Sequence, residues 1–198
     1  MTPNILHPIL DSKISATNFA APLSEFDPEH TLFTKDFGRV NLRPISREDE
    51  AEMIAFHEGL SPESIYLRYF EHISLDTRTL HERLARVCTN TADSIAIVAE
   101  THGTPHTPAQ ILAVGRLTTT AKPNVTAFAV LISGKAEETQ VPLELVRRLM
   151  AVARAYHFKT IAGEFLVHDQ EALNICRSLG FNLHTVPEDG IVRVQCIL

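Results

Sequence analysis

The sequence predicts an α+β domain built on one mostly antiparallel sheet with helices on its faces. Three observations carry that expectation. Paired apolar, β-branched runs separated by turn residues fill the middle of the chain, strand–helix–strand units come only late, and each long helical segment carries one apolar stripe. With 198 residues, 44% hydrophobic and 21% charged, the chain is long enough for one domain with an extension, and it needs no disulfide or metal staple to bury a core.

Residues 1–30 contain Pro3, Pro8, Pro22 and Pro28 among short apolar pairs and hold no period for long. They read as an extended arm ahead of a domain spanning 31–198. Such an arm is suited to pack across the domain or onto a second copy, so a homo-oligomer assembled through it is one expectation. Residues 32–35 and 39–45 are strand-like around Asp36-Phe37-Gly38, a hairpin connection, and Pro44 places the second strand near its end or at a sheet edge. Ser46 begins SREDE, an N-cap followed by acids, which predicts a helix over 47–58 with Ala51, Ile54 and Ala55 inward. Gly59-Leu60-Ser61-Pro62 closes it and opens a second helix, with Ser61 as N-cap and Pro62 at the first helical position. Ile65, Tyr66, Tyr69 and Phe70 recur there at helical spacing, and a third helix is expected over 76–87 with Leu80, Leu84 and Val87 on its face.

Strands follow at 94–100 and 111–118, on either side of the turn-rich THGTPHTPAQ. Lys122-Pro123-Asn124 then leads into VTAFAVLISGKAEETQVPLELVRRLM, residues 125–150. This stretch holds an apolar run, a polar loop of eight residues, and a helix from Pro142 with Leu145, Val146, Leu149, Met150 and Ala153 facing a core. A strand feeding a helix N-terminus presents unpaired N–H groups and a partial positive charge, a natural seat for phosphate. A strand over 160–167 follows His157. Asp169 caps a further helix with Leu173, Ile175, Cys176 and Leu179 inside, and Gly180 is its C′ residue. Residues 181–186 and 191–198 make a final hairpin around 187–190.

A net charge of −6 argues against nucleic-acid binding, which shows as a basic face. Cys88, Cys176 and Cys196 are widely spaced without CxxC, so reduced thiols are expected and no metal site. His102 and His106 share a turn without a supporting carboxylate or thiol. The N-terminus lacks a basic start followed by an apolar core, and the apolar runs are too short to span a bilayer. A cytoplasmic protein without a membrane partner is expected.

Four pieces, LRPISREDE (42–50), LSPESIYLRYF (60–70), AVGRL (113–117) and LNICRSLGF (173–181), carry a family likeness. Over 39–198 the chain resembles the GNAT superfamily of N-acetyltransferases, nearest in kind to the GNAT domain of bacterial protein lysine acetyltransferases. The resemblance implies a splayed, mostly antiparallel seven-stranded sheet with helices on both faces. Acetyl-CoA, the acyl donor, would lie in the V between the fourth strand (127–133) and the fifth (160–167), above the helix over 142–157. It also implies that backbone groups of Val130, Leu131 and Ile132 meet the pantetheine amides, and that Gln140, Val141 and Leu143 lie at the pyrophosphate. Cys176 stands where many members carry a tyrosine that protonates the leaving thiolate.

The chain departs from the family where chemistry is done. The Gln/Arg-x-x-Gly-x-Gly/Ala loop is replaced at its three signature positions by Glu137, Gln140 and Pro142. Proline has no N–H, and a hydrogen bond to a charged group contributes about 1.5–3 kcal/mol, so about tenfold or more in affinity is at stake. Gln140 adds a Cβ where close approach was wanted, and Glu137 and Glu138 set negative charge beside an anion. Acids and Thr139 also suffice to satisfy the helix end without any ligand. The fourth-strand glutamate that serves as general base is Ala127 here. Glu164 and His168 are the replacement candidates near where an acceptor amine would enter; a paired strand carboxylate and a polar loop histidine are their ordinary roles. Tyr66, Tyr69 and Phe70 border the acceptor site in the family, with core packing as their ordinary role. Arg147-Arg148 reads as a solvated helix face. Two functions follow. One is an acyl-CoA-dependent N-acyltransferase acting on an amine, such as a protein lysine, by direct attack in a ternary complex. The other is a non-catalytic GNAT-fold module, with weakened or lost CoA binding, that takes a ligand or partner through the cleft or the arm.

Overall fold

The computed structural model describes residues 18–19, 30–104, 106–186 and 190–198. Its strands are β1 (His30–Thr34), β2 (Gly38–Pro44), β3 (Ser94–Thr101), β4 (Ile111–Thr119), β5 (Val125–Ile132), β6 (Thr160–Leu166), β7 (Asn182–Val186) and β8 (Ile191–Ile197). The helices are α1 (Glu50–Glu58), α2 (Pro62–Tyr69), α3 (Leu75–Arg78), α4 (His81–Val87), α5 (Gly134–Glu137), α6 (Val141–Ala155) and α7 (Gln170–Ser178). All the strands join one sheet in the order β1-β2-β3-β4-β5-β6-β8-β7. Every neighbouring pair is antiparallel except β5 and β6. The sheet has eight strands where seven were expected; β1, in hairpin register with β2, extends it at one edge.

Each face of the sheet has its own core. Ile95, Ile97, Leu117, Phe128 and Phe165 point to the side covered by α6 and α7, where they meet Leu145, Leu149 and Leu173. Ala96, Val98, Val114 and Leu131 point to the other side, against Met53 and Phe56 of α1, Ile65 of α2 and Leu84 of α4. The stripe expected on α6 is buried throughout, and each such Leu contributes about 1.5–3 kcal/mol by leaving water. Arg43 ties β2 to β3 and to the start of the first helix, donating to both Glu100 and Asp49.

Two helical expectations are corrected. Residues 47–49 form a 3-10 turn before α1, and the buried face of α1 is Met53, Phe56 and His57 rather than Ala51, Ile54 and Ala55. Met53 and Phe56 carry more apolar surface than Ala51 and Ala55, so burying their face takes more of it out of water. The helix expected over 76–87 is broken into α3 and α4 at Thr79-Leu80, which leaves Leu80 57% exposed and turns Arg78 inward. The caps hold. Ser61 accepts from the Ser64 amide, Asp169 from the Ala172 amide, and Gly180 takes φ +82° after α7.

Before His30 only Asn18 and Phe19 of the expected arm are described; the rest of it, and Pro187 to Asp189 of the last turn, lie outside the described residues. Phe19 packs against the Tyr156 and Phe158 rings at centroid distances of 5.1 and 5.0 Å, and its amide donates to the Ala92 carbonyl. At 4% exposure it belongs to the core.

Candidate functional site: a cleft where the sheet splays

β5 and β6 pair at three positions only, Val125 with Thr160, Thr126 with Ile161 and Ala127 with Ala162. At the next position the Phe128 ring fills the space a side chain on Gly163 would need; a Cβ there would stand 2.8 Å from the ring. Beyond it the strands separate, and the gap opens into a cleft of about 2250 Å³.

The splay leaves backbone groups of β5 unpaired. The Ser133 amide donates to Leu112 and so points toward β4. Strand alternation turns the Leu131 backbone the same way and aims the polar groups of Val130 and Ile132 into the gap. Of the three residues expected at a pantetheine arm, two therefore present backbone to the cleft. Leu131 pairs with β4 and buries its side chain in the core.

The loop after β5 is built to satisfy itself. Thr139 Oγ1 donates to the Ala136 carbonyl at 2.7 Å and accepts from the Val141 amide. The Glu144 amide is already bonded to the Gln140 carbonyl, and Pro142 brings no donor. Among the described residues that leaves the Leu143 amide as the unbonded N–H of the first turn of α6. Gln140 is exposed and caps nothing with its side chain. Glu137 accepts a hydrogen bond from Ser64 Oγ at 3.0 Å, pinning the loop to α2 across the mouth of the cleft. More acids gather at this end. Burial, then the nearby Glu137 and Glu63, push the Asp169 carboxyl above its ordinary value; burial, then Glu137, Asp169 and Glu138, do the same to Glu171.

Arg68, Arg83 and Arg116 line the opposite end. Arg116 rises from the middle of β4 opposite Ala129 and is anchored to Ser94 Oγ and the Val87 carbonyl. Arg78, behind them, donates to the His57 carbonyl and to His57 Nδ1. Since arginine only donates, the imidazole is neutral with its proton on Nε2. Burial, with Arg78 and Arg83 adding to it, lowers His57 to about 4.

No family model matches the sequence. Among solved structures, the GNAT domain of S. lividans PAT superposes with a TM-score of 0.75 at 24% identity, covering 87% of this chain and 98% of that one. The chain has the GNAT fold. RimJ of Mycobacterium smegmatis in complex with CoA-disulfide aligns with a TM-score of 0.64 at 12% identity, covering 85% and 86%. YncA of Salmonella typhimurium with acetyl-CoA aligns with a TM-score of 0.59 at 12% identity, covering 80% and 94%.

Within the GNAT fold, β5 and β6 are the expected fourth and fifth strands, and the remaining site residues separate by location. Ala127, Ala129, Ala162 and Glu164 share the sheet face covered by α2, as the register requires. Glu164 is 12% exposed and accepts from Arg193 Nε at 2.9 Å. It lies one step along the splayed strand from the rung that holds Ala127. His168 sits at the exposed rim, stacked on the Tyr66 ring at 6.4 Å, and Tyr66 stacks in turn on His72. Cys176 is 1% exposed, and burial pushes its thiol up to about 12, so it stays protonated in the wall of the core. Val141 is fully buried with its amide taken. Among the described residues no group of three or more His, Cys, Asp or Glu could hold a metal ion, and no helix is long and apolar enough to cross a membrane. Sequence reasoning missed the arginines. The available clue was Arg116, a lone cation inside the apolar run ILAVGRLTT.

Proposed function

We propose that this chain is an acyl-CoA-dependent N-acyltransferase that grips its donor by the pantetheine arm and only weakly by the diphosphate. The observation that carries this reading is the unpaired edge of β5. Val130 and Ile132 offer amide and carbonyl groups in the spacing of a missing strand, and an extended pantetheine chain carries two amides to meet them. Acetyl-CoA is the donor most in keeping with the fold's ligand-bound relatives. The diphosphate finds a poor fit in a first helical turn with a capped Val141 amide and a proline, flanked by Glu137 and Glu138. Glu164, on the same face as the vacant general-base position at Ala127, takes the proton from an acceptor amine as its nitrogen bonds to the thioester carbon; the C–S bond breaks and CoA leaves as a thiolate that takes a proton from water, while Arg193 orients Glu164. His168, farther out on the rim, is placed to meet the incoming acceptor.

Calorimetric titration of acetyl-CoA against S-acetylpantetheine tests this division of binding. The expected result is measurable affinity for both, with acetyl-CoA less than about tenfold tighter, because one good hydrogen bond to phosphate is worth that much. Absence of binding by either ligand at about 1 mM, a free energy near −4 kcal/mol, would remove the acyltransferase reading. That outcome would favour the second reading, a non-catalytic GNAT-fold module that takes another ligand or a partner, its loop tied to α2 by the Ser64–Glu137 hydrogen bond.

A further inference from the structure

Arginines from three elements converge on one wall of the cleft, and among the described residues no carboxylate meets them. Two of them meet the Tyr69 ring, with Arg68 Cζ 5.1 Å and Arg83 Cζ 5.4 Å from its centroid. Arg116 is fixed from below by Ser94 and the Val87 carbonyl. Among the described residues the Arg68 and Arg83 side chains make no hydrogen bond or ion pair, so two planar forks of N–H donors are left without an acceptor. Burial, together with the neighbouring cations, draws Arg68 below the ordinary guanidinium value and Arg116 to about 10.

Collecting like charges in a partly desolvated wall is unfavourable unless something offsets them. This chain has a net charge of −6 and carboxylates in the same cleft, among them Glu82 and Asp93, yet none comes within 4.0 Å of these arginines among the described residues. The wall also faces open space. The residues across from it on β5 are Ala127 and Ala129, the smallest side chains that a strand there can carry without becoming glycine.

We propose that Arg68, Arg83 and Arg116 form a pocket for a carboxylate or phosphate, and that the acceptor is an amine carrying such a group. The anion pocket stands on the geometry alone, while the acceptor role rests on the acyltransferase reading. An acidic amine docked here would lie on the sheet face that Glu164 shares. Arg forks match both carboxylate and phosphate oxygens in paired hydrogen bonds. A bare lysine side chain would meet positive charge instead.

The first measurement is the melting temperature of the full chain with inorganic phosphate, against sodium chloride at equal ionic strength. Phosphate is expected to raise it beyond chloride. Arg68→Gln and Arg83→Gln should each weaken the apparent phosphate affinity by about tenfold, while melting no lower than the parent without phosphate, because repulsion is relieved. A purely structural role would instead lower that baseline. A phosphate response no greater than chloride's, or one kept intact in both variants, overturns the pocket.

The second measurement compares acetyl transfer to phosphoethanolamine and to ethanolamine. A preference of about tenfold or more for the phosphorylated amine, lost in Arg83→Gln, is expected. Equal use of both amines overturns the acceptor assignment. So does a defect of Arg83→Gln confined to succinyl-CoA as donor, which would give the pocket to an acidic acyl group. Transfer to neither amine overturns the acceptor assignment, while the acetyl-CoA titration decides the acyltransferase reading and the phosphate titration decides the pocket.

Discussion

The two ends of the cleft are opposites in charge and in how that charge is satisfied. At the loop end, Glu137 receives a hydrogen bond from Ser64, Thr139 fills the helix terminus, and Asp169 caps its own helix. At the far end the Arg68 and Arg83 side chains have, among the described residues, the Tyr69 ring and no hydrogen-bond acceptor. A site that satisfies itself resists ligand, because the ligand must first replace bonds already made. A site that leaves its donors open is preorganised for one. The GNAT fold ordinarily puts its anion at the loop end. In this chain the invitation to an anion has moved across the cleft.

The sharpest way to test the middle of this comparison is Glu164→Gln, which keeps the size and the contact to Arg193 but removes the base. Turnover should fall by about 10²–10⁴-fold with the melting temperature nearly unchanged, measured as kcat at saturating donor. An unchanged kcat would return Glu164 to the role of a paired strand carboxylate.

Acid should act on the two ends with opposite sign. His57 is lowered from 6.5 to about 4, so the unfolded chain binds the proton first and stability is lost as pH falls from about 6.5 toward 4. The full swing is about 3 kcal/mol. Asp169 and Glu171 are raised, so their carboxylates cost stability above their folded values and give it back as pH falls. Urea unfolding from pH 7 to 4.5 should therefore show a net loss in the parent, and His57→Gln should flatten or reverse the slope.

Rebuilding the loop end should erase the contrast there. Glu137→Gln combined with Pro142→Gly restores a donor and removes a repelling charge, and should tighten acetyl-CoA by about tenfold to a hundredfold while leaving S-acetylpantetheine unchanged in calorimetry. An equal gain for both ligands would place the effect on the arm instead of the diphosphate. The smallest effect is expected from Ser64→Ala, which removes the donor to Glu137 and should lower stability by about 1–2 kcal/mol in denaturant unfolding, since Glu137 can turn toward water.

What the sequence made legible follows the range of the interactions. Caps and stripes are local, so Ser61, Asp169, Gly180 and the buried face of α6 could be read directly. The face of α1 was not, because two stripes compete along it and the larger side chains Met53 and Phe56 take the buried side. The loss of loop donors was visible in Pro142, but the Ser64–Glu137 bridge joins residues far apart in the chain and needs the fold to exist. The same holds for the arginines. Arg68, Arg83 and Arg116 look like ordinary helix and strand residues until α2, α4 and β4 bring them together.

Phe19 has a consequence for how the chain is made. It leaves the ribosome early, but its pocket is completed by Ala92, Tyr156 and Phe158, the last two near the end of synthesis. Among the described residues the first-made piece of the core is thus among the last able to dock, and an apolar ring must wait while most of the sheet is translated. That order makes the docking of residue 19 a late step of refolding.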